Sequence, residues 1–174
     1  MHEDEIEGLK LIKTTTFHDE RGSFTRLYDC EQLQNESLIP KQMNISRNPF
    51  LGTLRGMHYQ VSGDPEHKIM TFLSGSAFLV IIDMRKGKSS FLKVASGTIS
   101  AADGISIFIP AGCAAGWLSL SPNTDIHYVM YSRYENNSYD GLRYNDPYFD
   151  ISWPSEPKVI SEQDKNWPPY SLES

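Results

Sequence analysis

The pattern of hydrophobic and polar positions indicates β-strands along most of this chain. From Gln42 onward, short runs rich in β-branched and aromatic residues alternate with clusters of Gly, Pro, Asn, Asp and Ser. Such runs at short intervals are typical of a sandwich or jelly roll, and less so of alternating strands and helices. The runs that predict strands are 68–73, 77–83, 90–94, 98–100, 105–109 and 126–134. We therefore expect an all-β fold.

The first forty residues predict strands and one helical turn. Residues 9–16 and 24–28 have the composition of strands, and the charged segment 17–22 between them predicts a turn. Residues 29–36 predict a helical turn, which must end before Pro40.

The C-terminal part predicts one short helix. Ser161 is placed as the N-cap of a helix over residues 161–165. No linker, repeat or low-complexity tract divides the sequence, so we predict one domain over residues 1–174.

Composition narrows the possible partners and compartments. The formal net charge of −6 disfavours nucleic acid. No apolar run is long enough to cross a bilayer, and the acidic N-terminus is unlike a signal peptide. Cys30 and Cys113 are too few for a disulfide framework. We expect a soluble cytoplasmic protein without a nucleic-acid or membrane partner.

The segment Gly52-Thr-Leu-Arg-Gly-Met-His-Tyr-Gln60 holds the first candidate chemistry. In a strand, Gly56, His58 and Gln60 would share one face, and a barrel with these residues inside would enclose a polar cavity. A single histidine often serves only to bond a backbone carbonyl. The nearby Arg55 and the glycine spacing favour a ligand site here.

Cationic and amide side chains extend the candidate set. The guanidinium groups of Arg21 and Arg55 suit a diphosphate, although each could also be a surface charge. Asn44 lies on a plausible neighbouring strand. Lys68 begins a strand that reads as buried, so it could project inward and stabilise an oxyanion, or it could end in solvent.

Two further groups could transfer or position protons. Tyr128 and Tyr134 would share a face if the strand continues through both, with Tyr131 on the other face. A tyrosine in a polar cavity can act as a general acid, but most strand tyrosines only pack. Asp164 could orient a histidine base, or it could serve as a first-turn carboxylate of the terminal helix.

Two glycine-rich segments resemble the paired motifs of the cupin superfamily. Gly52 and His58 fit the first motif, and Gly104, Pro110 and Gly112 fit the second. Two motif histidines are replaced, by Gln60 and Ala115. The resemblance implies a cupin-type double-stranded β-helix (jelly roll) with short peripheral helices. Because most metal ligands are missing, we expect no metal and no other cofactor.

Over residues 17–165 the chain resembles the dTDP-4-dehydrorhamnose 3,5-epimerase family, which acts on nucleotide-linked 4-keto sugars. The most specific block is Leu54-Arg-Gly-Met-His-Tyr-Gln60. The other blocks are 19–22, 42–46, 83–85, 109–112, 144–147, 151–154 and 161–165.

The resemblance implies a role for each catalytic candidate. His58 takes the place of the family's base and Asp164 that of its partner. Lys68 matches the lysine near the sugar keto oxygen, and Tyr128 the acid on the opposite ring face.

The resemblance also implies substrate contacts and an oligomer. Arg21 and Arg55 match arginines on the diphosphate, and Phe24, Gln42 and Tyr134 match other substrate contacts. The family is homodimeric and metal-free, and an arm of one subunit reaches the other subunit's site.

One departure from the family pattern concerns Ala115, where the family usually has histidine. Trp117, at the position of another aromatic residue, could compensate by stacking on the substrate. The leading hypothesis is an epimerase that inverts C3, C5 or both in a nucleoside-diphosphate 4-keto-6-deoxy sugar. The alternatives are a catalytically silent sugar-nucleotide-binding homologue and a metal-dependent cupin.

Overall fold

Two facing antiparallel sheets dominate the computed structural model, which describes residues 1–29, 31, 39–63, 65–135 and 138–172. The strands are β1 Lys10–Lys13, β2 Thr15–Asp19, β3 Gly22–Arg26, β4 Gln42–Asn48, β5 Leu54–Gln60, β6 Lys68–Ser74, β7 Ser76–Asp83, β8 Val94–Ser100, β9 Ile105–Ile109, β10 Cys113–Ser119, β11 Thr124–Met130 and β12 Tyr139–Gly141. The first sheet has the order β1-β9-β6-β11-β4, and the second has the order β12-β5-β10-β7-β8. Strands β2 and β3 form a separate hairpin.

The main core lies between the two sheets because each strand alternates apolar residues inward. Its buried members come from both sheets and include Met70 of β6, Leu79 of β7, Ile107 of β9 and Ile126 of β11. This arrangement confirms the predicted all-β, cupin-type jelly roll.

Smaller clusters cover the outer faces. Ile69, Phe108 and Val129 pack on the outside of the first sheet. Met57 and Val80 pack on the outside of the second sheet, where the C-terminal segment covers them. Because both outer faces are covered, a polar side chain on the inner face of β5, β6 or β11 projects into the barrel interior between the two sheets.

Helices are short and peripheral, as predicted. Helix α1 covers Glu162–Lys165, and the Ser161 hydroxyl accepts a hydrogen bond from the Asp164 amide at 3.1 Å, which confirms Ser161 as the N-cap. Two 3-10 turns cover Glu3–Glu5 and Ala101–Asp103. In the described part of the chain, no helix has the length and apolar character needed to span a bilayer.

Four predicted elements differ from the structure. The turn predicted over residues 17–22 is shorter, because β2 continues to Asp19 and β3 begins at Gly22. Residues 90–92 form turns and β8 begins only at Val94, because Ser90 bonds the Asp83 carboxylate at 2.6 Å and local backbone bonds replace a ladder. Strand β11 ends at Met130 and not at residue 134. The strand predicted over 9–16 is divided into β1 and β2 at Thr14, whose amide donates to the Gly104 carbonyl. The helical turn predicted over 29–36 falls almost wholly outside the described residues.

Candidate active site

A β-bulge brings Arg55 and His58 to the same face of β5. Ala115 lies opposite His58 and Trp117 lies opposite Arg55, so two steps on β10 match three on β5. Directly opposed residues project to one face of a sheet. Both side chains therefore point inward, and the simple alternation that groups Gly56 with His58 is wrong here.

Gly56 makes the bulge possible. Its φ is +107°, and an added Cβ would lie 2.6 Å from the Ala115 carbonyl oxygen and 2.6 Å from the Gly116 Cα. Only glycine fits this close approach of the two strands.

His58 and Asp164 form a hydrogen-bonded dyad. The His58 Nε2 lies 2.7 Å from the Asp164 Oδ1, and the Gly56 amide donates to the Asp164 Oδ2 at 3.1 Å. Asp164 is only 4% exposed. Burial raises the pKa of Asp164, but the hydrogen bonds from His58 and Gly56 outweigh it and hold this pKa below its ordinary value.

The dyad fixes which histidine nitrogen can act as a base. An ionised carboxylate only accepts hydrogen bonds, so the His58 Nε2 must carry the hydrogen. The Nδ1 then holds the free lone pair. Asp164 also occupies the first turn of α1, so both roles considered for it are combined in one residue.

A cavity of about 500 Å³ adjoins the dyad. It lies between β5 and the segment that leads into α1, where Thr53 and Val159 form a bridge. The lining residues are Thr53, Leu54, Arg55, His58, Val159, Ile160, Ser161, Gln163 and Asp164.

Lys68 points inward at the start of β6 and is paired with a carboxylate that sequence reasoning missed. The Lys68 Nζ lies 3.0 Å from the Glu66 Oε1, and the two residues are 8% and 2% exposed. Ser132 donates to the Glu66 Oε2 at 3.2 Å, and the Tyr139 hydroxyl donates to the same oxygen. The sequence places Glu66 in a loop. The only indication of its role is that a lysine inside a barrel needs a buried anion as partner.

Tyr128 lies on the inner face of β11, opposite Met70 of β6 and Asn44 of β4. Burial raises the pKa of Tyr128 to about 12, and a hydrogen bond from Trp117 and the charge of Arg55 act against this rise. The Trp117 Nε1 donates to the Tyr128 hydroxyl at 2.9 Å. Trp117 is 2% exposed, so the expected stacking on substrate is wrong and its ring belongs to the core.

Strand β4 adds amide groups to the inner face of the first sheet, beside Tyr128. Gln42 and Asn44 stand at alternate positions opposite Met130 and Tyr128, so both face the interior side of the first sheet. Four residues after Asn44 on the same strand, Asn48 accepts a hydrogen bond from the Arg55 Nε at 3.0 Å. Asn48 is a second residue that sequence reasoning missed.

The remaining candidates lie on the surface of this chain. Arg21 is at the tip of the β2–β3 hairpin, paired with Asp19, and its side chain is 83% exposed. Phe24 is 70% exposed. Tyr134 lies beyond β11 and stacks on Tyr139 at 5.6 Å, so the expectation that it continues the Tyr128 face is wrong.

Within the described residues, no three His, Cys, Asp or Glu side chains converge as a metal site. The cupin motif position opposite His58 is Ala115, which has no ligand atom. The absence of a metal or cofactor remains a prediction.

Comparison with known proteins gives a consistent result. The family model described as dTDP-4-dehydrorhamnose 3,5-epimerase matches residues 3–171. The enzyme of that name from Sinorhizobium fredii is 31% identical, over 94% of this chain and 85% of its own length. The one from Methanothermobacter thermautotrophicus is 29% identical, over 94% and 90%.

Solved structures of similar proteins share the fold. The dTDP-4-dehydrorhamnose 3,5-epimerase of Bacillus anthracis, with TDP and PPi bound, superimposes with a TM-score of 0.85 at 29% identity, over 93% of this chain and 94% of that chain. The dTDP-6-deoxy-D-glucose-3,5-epimerase of Legionella pneumophila, in complex with dTDP-4-keto-L-rhamnose, gives 0.83 at 32% identity, over 91% and 86%. With the dyad, the inward lysine and the inward tyrosine in one barrel, the chain belongs to the dTDP-4-dehydrorhamnose 3,5-epimerase family.

Proposed function

We propose that this protein epimerises a nucleoside-diphosphate 4-keto-6-deoxy sugar at C3, C5 or both, in the synthesis of a deoxysugar or polysaccharide. The observation that carries the proposal is the division of polar groups between the sheets. The His58–Asp164 dyad is on the side of the second sheet, and Lys68 and Tyr128 project inward from the first. A ring held between them would meet a base on one face and an acid on the other.

The reaction follows from these positions. The His58 Nδ1 removes the acidic proton next to the ketone, and the Asp164 carboxylate stabilises the imidazolium that forms. The bonding electrons move to the keto oxygen, and the Lys68 ammonium stabilises the resulting enolate. Tyr128 then gives its hydroxyl proton to the same carbon from the opposite face, which inverts the centre.

Arginine and amide groups suit the rest of such a substrate. Arg55 is on the inner face near His58, and Asn48 fixes its guanidinium through Nε. The terminal nitrogens of Arg55 can then bind a diphosphate. Bound TDP in the Bacillus anthracis relative and dTDP-4-keto-L-rhamnose in the Legionella pneumophila relative support this substrate class. We assign Gln42 and Asn44 to substrate binding on the same basis.

We also propose a homodimer in which the β2–β3 hairpin serves the partner's site. Its exposed Phe17 and Phe24 lie opposite each other, and exposed apolar pairs favour burial against protein. Arg21 at the hairpin tip would then approach the diphosphate of the partner's site, and Tyr134 would contact the nucleotide sugar. We further infer that residues 1–174 form one domain. The free, buried thiol of Cys113 agrees with a reducing cytoplasm.

The test is proton NMR of dTDP-4-keto-6-deoxyglucose in deuterium oxide with the purified protein. Deuterium at C3 and C5 would support a double epimerase, and deuterium at one carbon a single-centre enzyme. The variant H58N, which keeps a polar side chain without a base, should abolish this incorporation. Binding without exchange, over a panel of such sugars, would instead support a silent binding homologue, for which Ala115 is the motivation.

A further inference from the structure

A hydrogen bond joins the two sheets at Tyr128. Trp117 is on β10 of the second sheet and Tyr128 is on β11 of the first, yet the indole Nε1 donates to the phenol oxygen at 2.9 Å. The Trp117 ring is packed in the core between the sheets, so its position is fixed by its surroundings. Few other side chains could place a single donor there without adding an acceptor.

This bond determines the direction of the Tyr128 proton. An indole nitrogen is only a donor, so the phenol oxygen must be the acceptor in this contact. The hydroxyl hydrogen of Tyr128 is therefore turned away from Trp117 and remains available to another acceptor. A water or a serine at the same place could accept that hydrogen and make it unavailable to a substrate.

The same bond stabilises the product of proton donation. When Tyr128 gives up its proton, negative charge develops on the oxygen that already accepts the indole N–H. Hydrogen bonds to a charged oxygen are stronger than those to a neutral one. The charge of Arg55 acts in the same direction.

We propose that Trp117 is a positioning residue that turns the Tyr128 hydroxyl hydrogen away from the indole and toward a bound substrate, and that it stabilises the phenolate of Tyr128. This inference rests on the proposed epimerase function. In the step concerned, the Tyr128 O–H bond breaks and a C–H bond forms at the enolate carbon. The oxygen keeps the electron pair of its O–H bond, and the enolate oxygen regains its carbonyl bond. Solvent later returns a proton to Tyr128.

The first test replaces the indole by a ring without a donor. In W117F, deprotonation by His58 should persist while delivery from the other face slows, so deuterium exchange with retention should rise relative to inversion by about tenfold. The matched control is W153F, which removes the hydrogen bond from another indole Nε1, to the Tyr144 carbonyl at 2.7 Å. In W153F the ratio of exchange with retention to inversion should equal that of the wild type. An equal loss of exchange and inversion in W117F would overturn the proposal.

A double-mutant cycle makes the test specific to the contact. In Y128F the acid is absent, so adding W117F should change the ratio no further. If W117F has the same effect in both backgrounds, Trp117 acts through packing and the proposal fails. Thermal unfolding of each variant shows whether it is folded.

A second measurement does not depend on activity. The chain has three tryptophans, so an ¹⁵N spectrum should show three indole resonances, and W117F identifies one of them by its loss. Y128F should move that resonance and leave the other two in place. An unmoved resonance would exclude the hydrogen bond. If wild-type protein epimerises no sugar, the proposed function fails and the positioning role with it, even where the resonance shows that the contact exists.

Discussion

Asp164 shows how one buried carboxylate can set the chemistry of a neighbouring ring. It accepts from the His58 Nε2 and the Gly56 amide, so it fixes the tautomer and joins α1 to β5. In D164N the new amide can donate to Nε2, which moves the hydrogen to Nδ1 and blocks the base. We expect kcat to fall by about 10²–10⁴-fold with little change in KM, as for loss of a general base.

The control for this variant is E162Q, which neutralises an exposed carboxylate on the same helix. Steady-state rates of both variants check the prediction. Equal rates for D164N and the wild type would show that the dyad has no part in catalysis.

Asp164 should also make stability depend on pH. Its folded-state pKa lies below the ordinary value of an aspartate, so its contribution to stability is present above that ordinary value and is lost as pH falls through the folded pKa. Wild-type protein should therefore exceed D164N in unfolding free energy at neutral pH, and the difference should shrink in acid. Urea unfolding over a pH series measures this difference, and a difference that grows in acid would contradict it.

The buried pair of Lys68 and Glu66 should show strong coupling. Each of E66Q and K68M leaves one charge in the barrel without its partner, which costs roughly 3–5 kcal/mol. The double variant should cost clearly less than the sum of the two. Urea unfolding measures the cycle. The exposed pair of Lys88 and Glu7, at 2.8 Å, is the control and should be close to additive.

Among single residues, the sequence could identify those to which the proposed mechanism gives a chemical step, but, apart from Asp164, not those that support them. His58, Lys68 and Tyr128 fall on a specific motif or on the inward period of a strand. Glu66 and Asn48 could not be predicted, because their roles depend on strand pairing across the barrel. Trp117 was recognised, but its burial and its single donor bond depend on the facing sheet.

At the scale of elements, the bulge in β5 is the feature that strand periodicity could not predict. G56A should place a Cβ against the β10 backbone, displace β5 and separate Arg55 from His58. We expect a stability loss larger than the roughly 1–3 kcal/mol of backbone strain alone, together with a strong loss of activity.

The control for this variant is G87A. Gly87 also has a positive φ, of +93°, but an added Cβ would meet nothing within 4 Å. It should show only the backbone cost and keep full activity. Thermal unfolding and exchange assays compare the two, and equal losses would mean that the β5–β10 approach is not constrained.

Strand boundaries show the same limit of local pattern. The apolar period of residues 126–134 continues past Met130, but the strand ends there and Tyr134 lies outside the sheet. Residues 90–94 have a strand-like composition, yet the buried Asp83 binds Ser90, residues 90–92 form turns and β8 begins only at Val94. In both cases the apolar period alone does not decide where the strand begins or ends.

At the scale of the whole molecule, the proposed exchange of hairpins can be tested by mixing inactive subunits. R21A would lack the arm's cation and H58N would lack the base. A mixed dimer would contain one intact site, so equal mixing should restore about a quarter of wild-type activity. The pair H58N and Y128F is the control, since both residues belong to the same chain's barrel, and it should restore none. If mixing R21A with H58N restores no activity, the hairpin serves the site of its own chain or serves no site.

The assignment of polar groups to separate sheets has a consequence for how such a barrel can diversify. In the proposed mechanism, proton removal depends on β5 and the C-terminal helix, whereas proton return and charge stabilisation depend on β6 and β11. Substitutions in one layer can therefore change a single half-reaction and leave the other intact. New stereochemical outcomes would then evolve by successive substitutions within one sheet, while the fold stays the same.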